Sequence, residues 1–198
     1  MPALPPLVCL ASASPRRREL LLQLGVPHIA CCADIDETQR SGEAARDYAA
    51  RMAEMKARRV WRDTPALPVL AADTVVVLDG ALYGKPKSRA AGLKMLASLS
   101  GRVHEVVTAV ALASARGVEL AVSVSAVGFR ALSAAECGAY WDSGEPQDKA
   151  GAYAIQGLAA AFIESLHGSY SGVMGLPLFE TAGLLRAAGV PYWNRAAT

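Results

Sequence analysis

The stretch Pro68–Leu78 constrains this chain more than any other, because apart from Asp73 and Thr74 it is aliphatic throughout. A continuous apolar run, rather than an alternating one, calls for a strand buried on both faces and hence for layers on each side of a sheet. Asp73 is out of place in such a strand. An unpaired carboxylate is costly to remove from water, so Asp73 needs hydrogen bonds, a cation or a metal ion around it. A purely structural role, capping a bulge or pairing with a core arginine, answers the same need.

The segment 7–25 poses a related problem. Leu7–Ala11 reads as a short buried strand that passes through Ser12-Ala13-Ser14 into a helix, with Ser14 as N-cap and Pro15 at the first helical position. Leu20, Leu21 and Leu24 give that helix its buried face, and Gly25 stops it. Arg16, Arg17 and Arg18 then stand in the first turn, where the helix dipole already leaves positive charge. Two readings stand. Either an anion such as phosphate binds at the helix start, or three solvated arginines tolerate the dipole at about 1 kcal/mol or less each.

Composition narrows the classes. The 198 residues are 53% hydrophobic and 19% charged, with a net charge of +2. That is an ordinary globular chain, and it argues against nucleic-acid binding through bulk charge. Cys9, Cys31, Cys32 and Cys137 show no CxxC pair or metal-ligand spacing, which suits reduced, mostly buried thiols in a cytoplasmic protein. No apolar stretch reaches the length of a membrane span, and no basic segment precedes the first apolar run as in a secretory signal. His28, His104 and His167 are scattered and read as structural or surface residues, so no Ser-His-Asp or Cys-His arrangement is in view.

In chain order, residues 26–33 predict a second strand. Ser41 opens a helix to about Val60 with Tyr48, Met52 and Met55 on its apolar face, and Lys56 in its C-terminal half. Taken alone, Lys56 is a surface lysine. Asp79-Gly80 signals a hairpin, and Gly84-Lys85-Pro86 presents Lys85 from a constrained loop without being a Walker A motif. Ser88 caps a helix to about Ser100 with Leu93, Leu96, Ala97 and Leu99 as contacts. Val103–Ala113 and Val118–Arg130 predict a hairpin with a β-bulge, since the inward phase shifts from Leu120, Val122 and Val124 to Val127 and Phe129. Ser133–Glu136 is a capping box for a helix to Trp141. The polar loop 143–149 leads into 150–157, whose flanking glycines suggest close ligand approach. Gln156 there offers an amide for a base edge or for an ordinary loop hydrogen bond. Residues 160–166 predict a strand, 168–172 a flexible connection, and Pro177 opens a last helix to Gly189.

Together, Arg16, Arg17, Lys56 and Lys85 supply cations while Glu37 and Asp73 supply carboxylates, the inventory a polyphosphate with a divalent ion requires. The segments carrying these residues occur in one order along nearly the whole chain. They are Leu10–Leu22, Asp36-Glu37, Lys56-Ala57, Ala72–Val75, Gly84–Pro86, Ser100-Gly101 with Thr108–Val110, Gly144–Gly157 and Gly168–Thr181. In this the chain resembles the Maf family of nucleoside triphosphate pyrophosphatases.

The resemblance implies a Maf/inosine-triphosphatase-like α/β fold over residues 1–198: a single domain with a twisted mixed sheet, flanking helices and a cleft between two lobes. It implies cleavage between the α- and β-phosphates with Mg²⁺ or Mn²⁺. Asp73 would be the proton acceptor, Asp73 and Glu37 the metal-side carboxylates, and Ser12, Arg16, Arg17, Lys56 and Lys85 the phosphate contacts. Arg16, Thr74 and Gln156 match the pattern of the dTTP/UTP-preferring subfamily, whereas relatives acting on 7-methyl-GTP typically carry Tyr, Gln and Glu there. A neutral amide can both donate to and accept from a uracil or thymine edge. The alternatives are the same reaction on 7-methyl-GTP or another noncanonical triphosphate, and a nucleotide-binding regulator of septum formation. The resemblance also admits a homodimer, although no apolar stripe marks an interface.

Overall fold

In the computed structural model, which describes residues 4–193, seven strands share one mixed sheet. They are β1 (Val8–Ala11), β2 (His28–Cys31), β3 (Val69–Leu78), β4 (Ala81–Tyr83), β5 (Val103–Ser114), β6 (Gly117–Phe129) and β7 (Ile163–His167). The order across the sheet is β2-β1-β3-β5-β6-β7, and β4 lies beside β3. The helices are α1 (Pro15–Gln23), α2 (Ala45–Asp63), α3 (Arg89–Leu99), α4 (Ala134–Asp142), α5 (Tyr170–Met174) and α6 (Leu178–Ala187).

The long apolar run is the centre of this sheet. One edge of β3 pairs antiparallel with β5 from Val69 to Val77. Its other edge is divided: Val69 and Leu70 pair parallel with β1, and Val76–Leu78 pair antiparallel with β4. Among the described residues no strand pairs with residues 71–75 on that side. The sheet opens there because β1 ends at Ala11 and the chain turns off into α1. The Asp79-Gly80 turn, with both φ positive (50° and 77°), returns β4 only as far as Val76. Asp73 and Thr74 sit in the gap.

Strand alternation assigns the two faces. Val69, Ala71 and Val75 pack with Val107, Ala109 and Ala111 against Ala49, Ala53, Ala57 and Val60 of α2, whose small side chains let the helix lie close. On the opposite face Leu70, Ala72, Val110 and Leu112 meet Leu20 and Leu21 of α1 and Leu184 and Leu185 of α6. Farther along that face Val76, Leu78, Val106, Val127 and Phe129 meet Leu96 and Leu99 of α3, Tyr140 of α4, and Tyr153 and Phe162. These two cores form the sides of the cleft, and Met174 packs against both.

Several local expectations need correction. Ser14 occupies the N-cap position of α1, but its side chain makes no cap bond; instead its N–H donates to Ser12 Oγ at 3.2 Å. α2 begins at Ala45, not Ser41, because Glu43 is drawn back to the Arg40 N–H and to Arg51. Its fully buried side chains include Met52, while Tyr48 and Met55 lie half-buried on the flanks. Ala97 is exposed. The β5–β6 ladder runs unbroken from Val103↔Gly128 to Ser114↔Gly117; the bulge lies against β7, between Gly128 and Phe129. β6 shows mixed apolar phase because both of its faces are covered over part of its length, not because its pleat slips.

The predicted strand at 160 starts at Ile163 after a 3₁₀ turn, and the connection expected to be flexible contains α5, capped by Ser169 Oγ on the Gly172 N–H at 2.9 Å. Cys9 and Cys137 are buried, but Cys31 is half-buried and Cys32 exposed; all four are free thiols. No helix among the described residues is long and apolar enough to cross a membrane.

Candidate active site

The gap in the sheet is the floor of a cavity of about 900 Å³. Its lining includes Ser12, Arg16, Arg17, Glu37, Lys56, Asp73, Thr74, Lys85 and Gln156, so every site residue expected from the sequence reaches one space. Arg18, by contrast, is exposed on α1 and outside it.

Asp73 points to the α2 side. Lys56 stands one turn after Met52 on that helix, which carries its stem against the sheet and its ammonium to Asp73. Lys56 Nζ lies 2.7 Å from Asp73 Oδ1 and 2.7 Å from Glu37 Oε1. The Lys56 and Asp73 side chains are only 12% and 13% exposed, so each lowers the other's cost of burial. Asp73 lines the cavity, and its Oδ2 has no hydrogen-bond partner among the described residues.

Glu37 comes from the loop before α2, which is tied down twice. Tyr48 Oη donates to the Glu37 carbonyl at 2.9 Å, and Arg51 makes a two-pronged ion pair with Glu43 while donating to the Thr38 carbonyl at 3.0 Å. The Arg51 guanidinium, helped by the Arg40 N–H, draws the Glu43 carboxyl down to about 2.

Thr74 points the other way, toward α1. Arg17 Nη2 donates to Thr74 Oγ1 (3.1 Å), Nη1 to Ser12 Oγ (3.3 Å) and Nε to the Gly175 carbonyl (2.7 Å). Thr108, the cross-strand neighbour of Thr74, lies 3.0 Å from it and directs its single hydroxyl hydrogen at the Gly172 carbonyl (2.7 Å). The hydrogen between the two threonines is therefore Thr74's. Three of the five guanidinium N–H groups of Arg17 bind the protein itself, leaving two for any other acceptor. Burial lowers the Arg17 pKa, and the nearby Asp73 carboxylate opposes that shift.

Arg16 and Lys85 have no ion-pair partner among the described residues, and Ser12 Oγ keeps its own hydrogen free. The Gly84 carbonyl accepts from the Gly151 N–H at 3.1 Å, joining the Lys85 loop to the far wall of the cavity. Gly151 is required there: its φ is 68°, and a Cβ would meet Val76 at 2.8 Å.

The sequence reading passed over Lys87, Lys149, Asp148 and Tyr153, all of which line the cavity. Lys87 follows Lys85 by two residues, and only its place beside that lysine could have drawn attention to it. Tyr153 lies within the segment 150–157. It is buried, with its hydroxyl 2.9 Å from His104 Nε2, and Ala152 just before it is held at a φ of 59°. Six cationic side chains line the cavity against three carboxylates, Glu37, Asp73 and Asp148. A positive enclosure with one carboxylate at its floor suits a polyanion undergoing proton-coupled attack.

The family model described as Maf-like protein matches residues 7–188, and the chain belongs to the Maf family. Proteins named dTTP/UTP pyrophosphatase are similar to it over nearly the whole length. The one from Bordetella avium is 57% identical over 194 residues, covering 93% of this chain and 96% of its own. That from Bordetella parapertussis is 56% identical over 94% of each chain, and that from Methylobacillus flagellatus 55% identical over 92% and 93%. The Staphylococcus aureus Ham1 structure aligns more weakly, with a TM-score of 0.43 and 15% identity over 62% of this chain and 71% of its own.

Proposed function

We propose that this chain hydrolyses dTTP and UTP between the α- and β-phosphates, releasing the nucleoside monophosphate and pyrophosphate, and that residues 1–198 act as one domain around one cleft. The carrying observation is the Lys56–Asp73 pair at 2.7 Å in the opened sheet, with Gln156 lining the same cavity. The name shared by relatives above half identity supports the same substrates.

In this reading the triphosphate lies among Ser12, Arg16, Lys56 and Lys85, with the two unused N–H groups of Arg17 at its edge. Asp73 Oδ2 accepts a proton from the water whose oxygen attacks the α-phosphorus, and the bond from that phosphorus to the bridging oxygen breaks. Lys56 pairs with Asp73 at 2.7 Å and neutralises the phosphates. The pyrimidine edge faces the Gln156 amide. Thr74 marks the subfamily through Arg17 rather than through the base, since its hydroxyl is engaged with Arg17 and Thr108.

Glu37 and Asp73 fit a divalent cation in donor chemistry. They are two hard carboxylates that already converge on one positive atom, Lys56 Nζ. No group of three or more His, Cys, Asp or Glu side chains placed to hold a metal ion occurs among the described residues. Two carboxylates with phosphate oxygens and water completing the shell suit Mg²⁺ or Mn²⁺. Such an ion would neutralise charge on the phosphates and orient them.

The test is a panel of triphosphates at equal concentration, with products identified in the presence of Mg²⁺ or Mn²⁺. Pyrophosphate released fastest from dTTP and UTP is the expected result. Orthophosphate release, a preference for 7-methyl-GTP, or binding without turnover would each overturn the reading.

A further inference from the structure

Gln156 is exposed and makes no side-chain hydrogen bond among the described residues, so its aim depends on the backbone that carries it. That backbone is held on both sides by one pair of residues. Two positions before Gln156, the Ala154 N–H donates to Tyr140 Oη at 3.1 Å. Tyr140 Oη donates in turn to Glu145 Oε1 at 2.7 Å. Two positions after Gln156, the Leu158 N–H donates to Glu145 Oε2 at 3.0 Å, and the Ala159 N–H lies 3.4 Å from Oε1.

The glycine between Gln156 and Leu158 belongs to this arrangement. A Cβ on Gly157 would lie 2.1 Å from Glu145 Oε2, so the carboxylate occupies the place a side chain would take. Gly157 is thus explained by a protein carboxylate and not by close approach of a ligand. The pair itself rests on a firm base. Tyr140 is buried in α4, which packs against α3 where Trp141 fills the space above Gly92, and the adjoining Pro146 is buried. Glu145 reaches 13 residues forward to cap a turn that its own segment does not adjoin.

We infer that Tyr140 and Glu145 are positioning residues that set base selectivity by clamping residues 154–159 on both sides of Gln156. This rests on the reading that Gln156 faces the base. A carboxylate accepting several hydrogen bonds cannot be replaced by an amide, one end of which is a donor. Loss of either member leaves a buried donor unpaired and lets the loop shift. A site that reads a base by hydrogen bonds then loses discrimination before it loses the chemistry carried out at Asp73.

The experiment measures kcat and KM on dTTP, dCTP and dGTP for Tyr140→Phe, Glu145→Gln and the double variant, beside Gln156→Ala. The preference for dTTP, as a ratio of kcat/KM values, is expected to fall about tenfold in each clamp variant, with kcat on dTTP changing less than about threefold. The double variant should lose more of the preference than either single, since Tyr140 holds the Ala154 side and Glu145 the Leu158 side. A lowered melting temperature with the dTTP preference intact would make the pair merely structural and overturn the inference. If Glu145→Gln does not fold, Tyr140→Phe, which keeps the ring and loses only the hydroxyl, decides alone. Should Gln156→Ala abolish the preference while the clamp variants keep it, the clamp alone is refuted. Should Gln156→Ala leave the preference unchanged, the base-reading role and the clamp fall together.

Discussion

Asp73 and Thr74 are adjacent in sequence, yet the pleat sends them to opposite faces of the sheet, one to Lys56 and the other to Arg17. Their substitutions should therefore fail differently. Asp73→Asn keeps the size of the side chain and removes the proposed base, so kcat should fall by about 10²–10⁴-fold while nucleotide binding persists. Single-turnover kinetics beside calorimetric binding would check this, and full activity would refute the assignment. Thr74→Val leaves Arg17 and Thr108 each one partner short. The expected loss is about 1–3 kcal/mol in urea unfolding, with weaker triphosphate binding as Arg17 loosens. The arginines divide likewise: Arg18 is on the surface, Arg16 points to the cavity, and Arg17 is built into the wall. The poor fit of Arg17 to the helix dipole is offset by acceptors supplied from β3 and from Gly175.

At the scale of elements, the loop before α2 matters because it carries Glu37 with no regular structure of its own. Arg51 is its anchor, through Glu43 and the Thr38 carbonyl. Arg51→Met should loosen the loop and raise the divalent-cation concentration needed for half-maximal rate several-fold, measured by titrating Mg²⁺ at saturating dTTP. The Glu43 carboxyl lies near 2 when folded and 4.5 when free of Arg51. The contribution of that pair is therefore full above about 4.5 and is lost as pH falls toward 2. Protection factors of the 38–43 amides, taken relative to intrinsic exchange at each pH, should fall over that acid range in the native protein and be low throughout it in Arg51→Met.

Most helices and strands at this scale were legible beforehand, since caps, Pro, Gly and apolar period are local properties. The Ser133 box and the Gly25 stop show it: Gly25 has a φ of 70°, and Val26 N–H reaches the Leu21 carbonyl at 3.3 Å. The start of α2 was not legible, because a distant pull, Glu43 toward Arg51, overrode the local preference of Ser41. Nor was the 168–172 segment, where glycine and serine suggest flexibility until Ser169 is seen to cap α5.

For the whole molecule, the two cores on one face of the sheet depend on groups behind the cleft. His104 is 2% exposed, with Nδ1 unpartnered among the described residues and Nε2 on the Tyr153 hydroxyl. Burial lowers its pKa from 6.5 to about 4. The folded protein therefore holds it neutral while the unfolded chain takes up a proton, and stability present above 6.5 is lost as pH falls toward about 4. The loss is about 3 kcal/mol at most. The melting temperature should drop across that window in the native protein and drop less in His104→Gln, the two pH slopes becoming alike above pH 7.

The amino-acid sequence by itself determined the doubly buried strand, the apolar faces, the turns, and the set of cations and carboxylates that had to converge. The strand, faces and turns follow from short-range periodicity, and the need of Asp73 for a partner from the cost of burying charge. The roles of the other charges were implied by the resemblance to the Maf family. Only the tertiary structure decided that β1 and β4 share one edge of β3 and leave Asp73 and Thr74 between them. It also decided that Arg17 turns inward to partners 57 and 158 residues away, and that Glu145 fills the space beside Gly157. These are contacts between segments whose spacing along the chain carries no trace of their meeting, because each depends on how whole elements pack rather than on any local preference.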